Sequence, residues 1–141
     1  MDRVYMDMAY EEAERSKCIR NKVGCVFVLD GKVIAQGYNH VTGGVKDCAL
    51  VGCIRDKMNI PSGERREVCK AICAEQLAIT EAARNGVELD GATAYITTFP
   101  CYICAKMLLS SGIYEIVYDK EYNDPISKQF LDEAGATYRK I

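Results

Sequence analysis

Two short cysteine-containing segments constrain this chain more than any other feature of its sequence. The first reads Cys73-Ala74-Glu75, and the second reads Pro100-Cys101-Tyr102-Ile103-Cys104. Three thiolates can hold a zinc ion, and a catalytic zinc site needs three protein ligands and one open position. A nearby carboxylate that does not bind the metal can transfer protons. The pattern predicts a zinc centre with Cys73, Cys101 and Cys104 as ligands and Glu75 as its acid–base group.

Both segments are placed where the starts of helices can stabilise negative sulfurs. A helix rich in Ala, Glu and Gln is predicted to begin beside Cys73, and Pro100 predicts the start of another helix. The unpaired N–H groups and partial positive charge of a helix start favour thiolates. Because three thiolates leave a zinc site with net negative charge, which weakens a Lewis acid, we expect the two helix starts to compensate.

The composition indicates one globular domain, residues 1–141. The chain has 141 residues, 49% of them hydrophobic, and eight cysteines. The N-terminal residues lack the features of a signal peptide, and no apolar run approaches the length of a membrane span. We therefore expect a cytoplasmic protein whose cysteines bind metal rather than form disulfides. A formal net charge of −2 argues against nucleic acid as the main partner.

Hydrophobic periodicity and turn residues predict helices that alternate with strands. Asp30-Gly31 predicts a hairpin turn, and Asn85-Gly86 predicts a helix end. Residues 39–70 show little periodicity and are expected to form a long cysteine-containing loop. The predicted helices cover residues 2–16, 72–84, 100–111 and 125–134, and the predicted strands cover residues 23–29, 32–38, 92–98, 114–118 and 136–141. This order predicts an α/β protein with helices on the faces of a mixed sheet.

Motifs along most of the chain resemble those of the cytidine and deoxycytidylate deaminase superfamily, and its dCMP deaminase-like branch in particular. Besides the two cysteine segments, the matching stretches occur at residues 15–20, 23–28, 37–39, 99–101, 104–106 and 111–113. The resemblance implies a three-layer α/β/α fold with a mixed sheet of about five strands. It also implies zinc-dependent hydrolytic deamination of a cytosine nucleotide, dCMP to dUMP with release of ammonia, by a homo-oligomer such as a hexamer.

The same resemblance implies how a small nucleotide would be bound. Asn39 would contact the sugar hydroxyl, although it could instead be a turn residue. The backbone N–H of Ala74 would contact the pyrimidine carbonyl, and Arg20 would bind the 5′-phosphate. Lys22 and Lys46 are alternative cations for the phosphate. Two aromatic residues, either of which could equally belong to the core, are candidates to stack on the base, namely Phe99 and Tyr122.

Five further cysteines lie outside the two segments. Cys18, Cys48, Cys53 and Cys69 surround the long loop and could form a structural Cys₄ zinc site. The resembled branch often carries a second zinc here with histidine among its ligands, but the corresponding residues 65–67 read Arg-Arg-Glu. The alternatives are free thiols or a disulfide formed on isolation. Cys25, in the middle of an apolar strand, is expected to be a core residue.

Three departures from the dCMP deaminase pattern leave the substrate open. Cys73 stands where that branch usually has histidine, residues 102–103 replace a polar pair, and residues 40–44 replace a Gly-x-Pro run. The alternatives are deamination of another free nucleoside or base, or of a base within nucleic acid. A third alternative is a catalytically silent zinc-stabilised binding module, against which Glu75 argues because a structural zinc site would not require it.

Overall fold

The computed structural model describes all residues from 1 to 141. The strands are β1 (Gly24–Leu29), β2 (Lys32–Tyr38), β3 (His40–Val41), β4 (Ala71–Ile72), β5 (Thr93–Thr98), β6 (Glu115–Lys120) and β7 (Thr137–Lys140). The helices are α1 (Asp2–Ala13), α2 (Cys48–Val51), α3 (Ile54–Lys57), α4 (Ala74–Asn85), α5 (Tyr102–Ser110) and α6 (Pro125–Ala134). A short 3₁₀ helix covers Arg66–Val68.

Five of these strands form the central mixed sheet, in the order β2-β1-β5-β6-β7. β1 pairs antiparallel with both β2 and β5, whereas β5, β6 and β7 run parallel to one another. The parallel strands are connected by α5 and α6, as parallel pairing requires. The predicted mixed sheet of about five strands is therefore confirmed.

The sheet is covered on one face by α1 and on the other by α4, α5 and α6. Successive residues of β1 point to opposite faces. Val26 and Val28 pack in a small core with α1, whereas Cys25 and Phe27 belong to the main core with the other three helices. The three-layer α/β/α architecture is thus confirmed, and Cys25 is a fully buried core residue as expected.

The segment between β2 and α4 is more ordered than the sequence predicted. Its ends are joined because β3 pairs antiparallel with β4. Between them lie α2, α3 and the 3₁₀ helix, and Asp47 caps α2 by accepting the N–H of Leu50 at 3.0 Å. The sequence predicted an irregular loop over residues 39–70, because helices of four residues are too short to show hydrophobic periodicity.

Three helix boundaries differ from those expected by two or more residues. α1 ends at Ala13 rather than at residue 16, because the amide groups of Arg15 and Ser16 bond to carbonyls three residues back in a tight turn. α4 and α5 begin at residues 74 and 102, later than predicted. The reason is that Cys73 and Cys101 are extended N-cap residues, with ψ of 157° and 167°. No helix is long and apolar enough to span a bilayer.

Candidate active site

The sulfur atoms of Cys73, Cys101 and Cys104 converge where α4 and α5 begin. All three lie within 4.8 Å of one another, and no other group of His, Cys, Asp or Glu side chains does so. Tetrahedral zinc with Zn–S bonds of about 2.3 Å separates sulfurs by roughly 3.8 Å, so the cluster fits this ion. Hydrogen bonds from the thiols of Cys104 and Cys73 lower the pKa of Cys101. The same bonds raise the pKa values of Cys73 and Cys104, so the cluster offers a metal cation one thiolate and two thiols that lose their protons when the metal binds.

The Glu75 carboxylate lies in the first turn of α4, beside the sulfurs, and is only 4% exposed. Burial raises its pKa to about 7, and the negative sulfur of Cys101 contributes to the increase. A carboxyl group with a pKa near neutrality can both accept and donate a proton, as acid–base catalysis requires. The structure therefore brings together the four residues that the sequence predicted for the zinc centre.

The loop before α6 fixes the turn that carries Cys101. Asp124 accepts the N–H of Tyr102 at 2.9 Å and the N–H of Ser127 at 3.1 Å, so one carboxylate links the starts of α5 and α6. The fully buried Ser127 hydroxyl donates to the carbonyl oxygen of Pro100 at 2.9 Å. These bonds hold the Pro100–Tyr102 turn in one conformation and thereby position two of the three ligands.

Arg66, in the 3₁₀ helix, contacts the ligand cluster directly. Its Nη2 donates to the Sγ of Cys73 at 2.9 Å, and its Nη1 donates to the hydroxyl of Tyr122 at 2.9 Å. Burial would lower the pKa of Arg66, but its interactions with the sulfurs of Cys73 and Cys101 outweigh this and raise it. Arg66 is therefore a permanent positive charge against the sulfur cluster. The expected helix starts are present beside Cys73 and Cys101. The Arg66 guanidinium is a further positive group that compensates for negative charge on the sulfurs.

A cavity of about 460 Å³ adjoins the cluster. Cys73, Cys101 and Glu75 form part of its wall, so a metal held by the sulfurs would have an open side toward it. The volume is in the range that suits a small organic ligand. The cavity wall also includes Arg20, Asn39, Arg55, Arg66, Ala74, Thr98, Phe99 and Tyr122.

All five predicted substrate-binding residues line this cavity, but two of them already have partners. The Asn39 side chain accepts the N–H of Val23 at 2.9 Å and donates to the carbonyl of Asn21 at 2.8 Å, which fixes its orientation. Arg20 donates to Asp56 at 2.6 Å. Each group retains unused hydrogen-bonding capacity. The alternative phosphate-binding lysines, at positions 22 and 46, are exposed and do not line the cavity.

The two candidate stacking residues lie in different environments. Phe99 is 2% exposed and packs edge-on against Tyr118 and Tyr138, with ring centroids 4.9 Å and 5.5 Å away. Tyr122 is partly exposed and is held by Arg66. Phe99 is thus a core residue that reaches the cavity wall, and Tyr122 is the more accessible ring. Ala74 is fully buried at the start of α4.

The four cysteines around the long loop are also brought near one another. Cys48 and Cys53 are buried, whereas Cys18 and Cys69 are half-buried. Burial raises the pKa of Cys48, and the nearby sulfurs of Cys18, Cys53 and Cys69 raise it further. The backbone N–H of Asn21 points to the Cys18 sulfur at 3.5 Å. No three of these sulfurs approach one another within 4.8 Å, unlike those of the first cluster.

The sequence did not reveal three lining residues, Arg55, Arg66 and Thr98. In the sequence, Arg66 is only part of residues 65–67, where the resembled branch has histidine. Its contact with Cys73 depends on how the long loop folds back. No spacing rule connects an arginine in such a loop with a cysteine at a helix start. The one available signal was the charge deficit of a three-thiolate zinc site, which calls for a nearby cation.

Comparison with known proteins agrees with this geometry. Residues 1–120 match the family model described as the cytidine and deoxycytidylate deaminase zinc-binding region. The chain is 36% identical over 140 residues to deoxycytidylate deaminase of Schizosaccharomyces pombe, which covers 99% of this chain and 43% of that protein. It is 38% identical over 125 residues to deoxycytidylate deaminase of Mycobacterium phage D29, which covers 85% of this chain and 94% of the phage protein.

The fold is similar to that of a solved deaminase. The crystal structure of dCMP deaminase from cyanophage S-TIM5 in complex with dCMP and dUMP matches with a TM-score of 0.81 and 26% identity. The match covers 99% of this chain and 95% of the phage protein. The chain spans 43% of the deoxycytidylate deaminase of Schizosaccharomyces pombe and 44% of that of Saccharomyces cerevisiae. The chain belongs to the cytidine and deoxycytidylate deaminase family, and the cluster of Cys73, Cys101 and Cys104, which fits a zinc ion, lies within the zinc-binding region that defines the family.

Proposed function

We propose that this protein catalyses the hydrolytic deamination of dCMP to dUMP and ammonia. The observation that carries the proposal is the buried Glu75 carboxylate beside three converging sulfurs, on the wall of a cavity large enough for a small ligand. The similarity to deoxycytidylate deaminases supports the choice of dCMP. The reaction replaces the exocyclic amino group at C4 of cytosine by the oxygen atom of water.

Glu75 moves the protons of this reaction. When bound to the three sulfurs, zinc supplies a Lewis acid that makes water a stronger nucleophile near neutral pH. The Glu75 carboxylate accepts a proton from the attacking water and delivers it to N3 of the ring. The second proton of the water passes through the same carboxyl group to the departing amino group, which leaves as ammonia. Burial of Glu75 keeps these protons from exchanging with bulk solvent.

The remaining cavity residues hold the nucleotide. The N–H of Ala74 donates to the pyrimidine carbonyl, the Asn39 side chain contacts a sugar hydroxyl, and Tyr122 and Phe99 flank the base. Arg20 binds the 5′-phosphate, because guanidinium groups match phosphate oxygens in charge and geometry. All five residues line the same cavity, which supports these assignments.

The same proposal includes a second, structural zinc ion bound by Cys18, Cys48, Cys53 and Cys69. Their proximity and the N–H bond to the Cys18 sulfur support it, because metal-bound thiolates commonly accept such bonds. Metal analysis of the purified protein should give two zinc ions per chain. Cys53→Ser should remove one of them and lower thermal stability, whereas a wild-type ratio of one would contradict the second site.

We also propose a cytoplasmic location and a homo-oligomeric assembly for this protein. Thiols that bind zinc must remain reduced, and the eight cysteines are all free, which supports a cytoplasmic location. A groove of about 420 Å³ lined mainly by β2 and α4, with seven hydrophobic residues among its thirteen, is the surface where we propose association into a homo-oligomer such as a hexamer. Sedimentation equilibrium would measure the assembly state, and a monomer at all concentrations would contradict it.

Parallel measurement of ammonia release from dCMP, deoxycytidine, cytidine and single-stranded DNA tests the proposal. We expect turnover of dCMP by the zinc-loaded wild type and none by Cys101→Ala. Turnover of single-stranded DNA in preference to dCMP would instead favour a nucleic-acid deaminase. Release of ammonia from none of the four would indicate a binding module that keeps zinc for stability.

A further inference from the structure

We infer that Arg55 is a specificity-determining residue that, with Arg20, reads the phosphate monoester of the nucleotide. The inference deepens the proposed function, on which it rests, by naming a residue that separates a nucleotide from a nucleoside. Arg55 lies in α3, within the long segment between β2 and α4, and has no counterpart among the residues that the sequence motifs point to.

The first observation concerns hydrogen bonds that the protein leaves unmade. Three buried side-chain nitrogen or oxygen atoms in the whole chain have no partner, namely Nη1 of Arg20, Nε of Arg55 and Oγ1 of Thr98. All three residues line the cavity that adjoins Glu75. Buried polar atoms are nearly always paired, and an unpaired one is costly. Since two of these atoms are donors on guanidinium groups, the partner that fits them is an anion with several acceptor oxygens.

The second observation is that one short segment holds both guanidinium groups. Arg20 donates through Nε to Asp56 and through Nη2 to the carbonyl of Ile60. Arg55 donates through Nη1 to the carbonyl of Glu64 at 3.2 Å. Each side chain is thus fixed by part of its hydrogen-bonding edge, while another donor of each has no protein partner. Fixed donors bind an anion with less loss of side-chain entropy than mobile ones.

The third observation is the balance of charge on this wall. Arg20 is partly neutralised by Asp56 at 2.6 Å, whereas Arg55 has no carboxylate within 4.0 Å. The third arginine in the cavity, Arg66, is already engaged by the Cys73 sulfur. Arg55 is therefore the one lining guanidinium whose charge no side chain of the protein offsets. A phosphate monoester, which is close to a dianion at neutral pH, supplies the missing charge and the acceptors together.

Specificity for a nucleotide follows from the hydrogen-bond donors that a nucleoside would leave unpaired. Deoxycytidine offers a neutral 5′-hydroxyl in place of the phosphate, so the donors of Arg55 and Arg20 would stay buried and unpaired. A site built around polar partners rejects an analogue that lacks them far more strongly than an apolar pocket does. The phosphate preference should therefore depend on Arg55 and not on the residues at the sulfur cluster.

The test measures binding apart from turnover, so that its failure differs from failure of the proposed function. Calorimetry on zinc-loaded wild type compares dUMP with deoxyuridine, which share the base and sugar. We expect dUMP to bind at least about 10-fold more tightly, inorganic phosphate to compete with it, and Arg55→Ala to remove about 10- to 100-fold of that preference. Deoxyuridine should bind equally to both proteins.

Further variants separate recognition from a structural role. Arg55→Lys keeps the charge but loses the fork of donors, so it should retain part of the preference. Arg84→Ala, on the exposed face of α4, is the control and should change nothing. Equal binding of dUMP and deoxyuridine by wild type, or equal loss of both in Arg55→Ala with zinc content and melting temperature unchanged, would overturn the inference. Absence of dCMP turnover would count against the proposed function alone.

Discussion

At the scale of single residues, Arg66 places a positive charge against the sulfur cluster. Three thiolates around a divalent cation leave a negative charge, which weakens the metal as a Lewis acid. The Arg66 guanidinium donates to the Cys73 sulfur at 2.9 Å and is itself held against Tyr122. A hydrogen bond to a metal-bound sulfur withdraws electron density from it. We therefore expect Arg66 to offset the charge that Cys73 adds at a position where the resembled branch usually has a neutral histidine.

Replacing Arg66 by glutamine should weaken both metal binding and catalysis. The variant removes a positive charge that lies against the sulfurs, so we expect about 10- to 100-fold weaker zinc binding in competition with a chelator. The rate constant for dCMP turnover should fall even when zinc saturates the protein. Arg66→Lys should recover part of both properties.

The neighbouring Arg65 provides a matched control for this prediction. Arg65 is exposed and pairs with Glu67 rather than with a sulfur, so Arg65→Gln should leave zinc affinity unchanged. If Arg66→Gln and Arg65→Gln behave alike, the charge on Arg66 does not act on the metal site.

The two motifs of the candidate site could be predicted from the sequence because the spacing within each is local. Cys101 and Cys104 lie three positions apart at a helix start, and Glu75 follows Cys73 by two, whereas the convergence of the two motifs was expected from the family resemblance and from the need of zinc for three ligands. Contacts between distant segments could not be predicted in this way. The bonds from Arg66 to Cys73 and from Arg55 to Glu64 depend on the path of the long loop, which no periodicity describes.

At the scale of secondary-structure elements, the contact between α4 and β2 positions the Glu75 carboxylate. A Cβ on Gly37 would lie 2.2 Å from the carbonyl oxygen of Ala74 and 2.8 Å from the nitrogen of Ala78. The first turn of α4 therefore rests directly on the backbone of β2. Since Cys73 and Glu75 flank Ala74, this close approach sets where the sulfur and the carboxylate lie relative to the sheet.

Gly37→Ala should accordingly destabilise the protein and displace the site. The new methyl group meets backbone atoms that cannot rotate away, so we expect a loss of about 3 kcal/mol in the free energy of unfolding. Zinc content should also fall, because α4 must shift. Gly43→Ala is the control, since nothing lies within 4 Å of a Cβ at that position. Urea denaturation of the two variants would measure the difference, and equal stabilities would contradict the packing argument.

For every strand of the main sheet, the ends predicted from the sequence lie within two residues of those in the structure. The β1–β2 hairpin and the parallel strands carry strong turn and apolar signals, so their order determines the mixed sheet. The short helices α2 and α3 escaped prediction because each has four residues. The late starts of α4 and α5 reflect cap conformations that depend on the packing around Cys73 and Cys101.

At the scale of the whole molecule, one charged network ties the first helix to the last strand. Arg139 of β7 donates to Asp2 of α1 at 2.9 Å and to Glu115 of β6 at 2.5 Å. Tyr95 of β5 also donates to Asp2 at 2.8 Å. The hydrogen bonds from Arg139 are the main cause of the lowered pKa values of Asp2 and Glu115.

Stability that depends on this network should be lost in acid. Because the folded-state pKa values of Asp2 and Glu115 lie below their ordinary values, the contribution is complete above about pH 5 and is lost as the pH falls through the lowered folded-state pKa values. Arg139 is 46% exposed, so we expect about 1 kcal/mol or less. The melting temperature of Arg139→Gln should fall below that of wild type at pH 7, and the difference should shrink steadily as the pH is lowered below about 4. A difference that persists in acid would show that the network does not act through these carboxylates.

Glu75 is proposed to transfer protons at a zinc ion that the three sulfurs hold. The most direct test measures zinc per chain and ammonia release from dCMP on the same samples of wild type, Glu75→Gln and the control Glu81→Gln. We predict equal zinc in all three proteins, full activity in Glu81→Gln, and a rate constant at least about 10³-fold lower in Glu75→Gln. Activity of Glu75→Gln within a few-fold of wild type, at equal zinc content, would contradict the account.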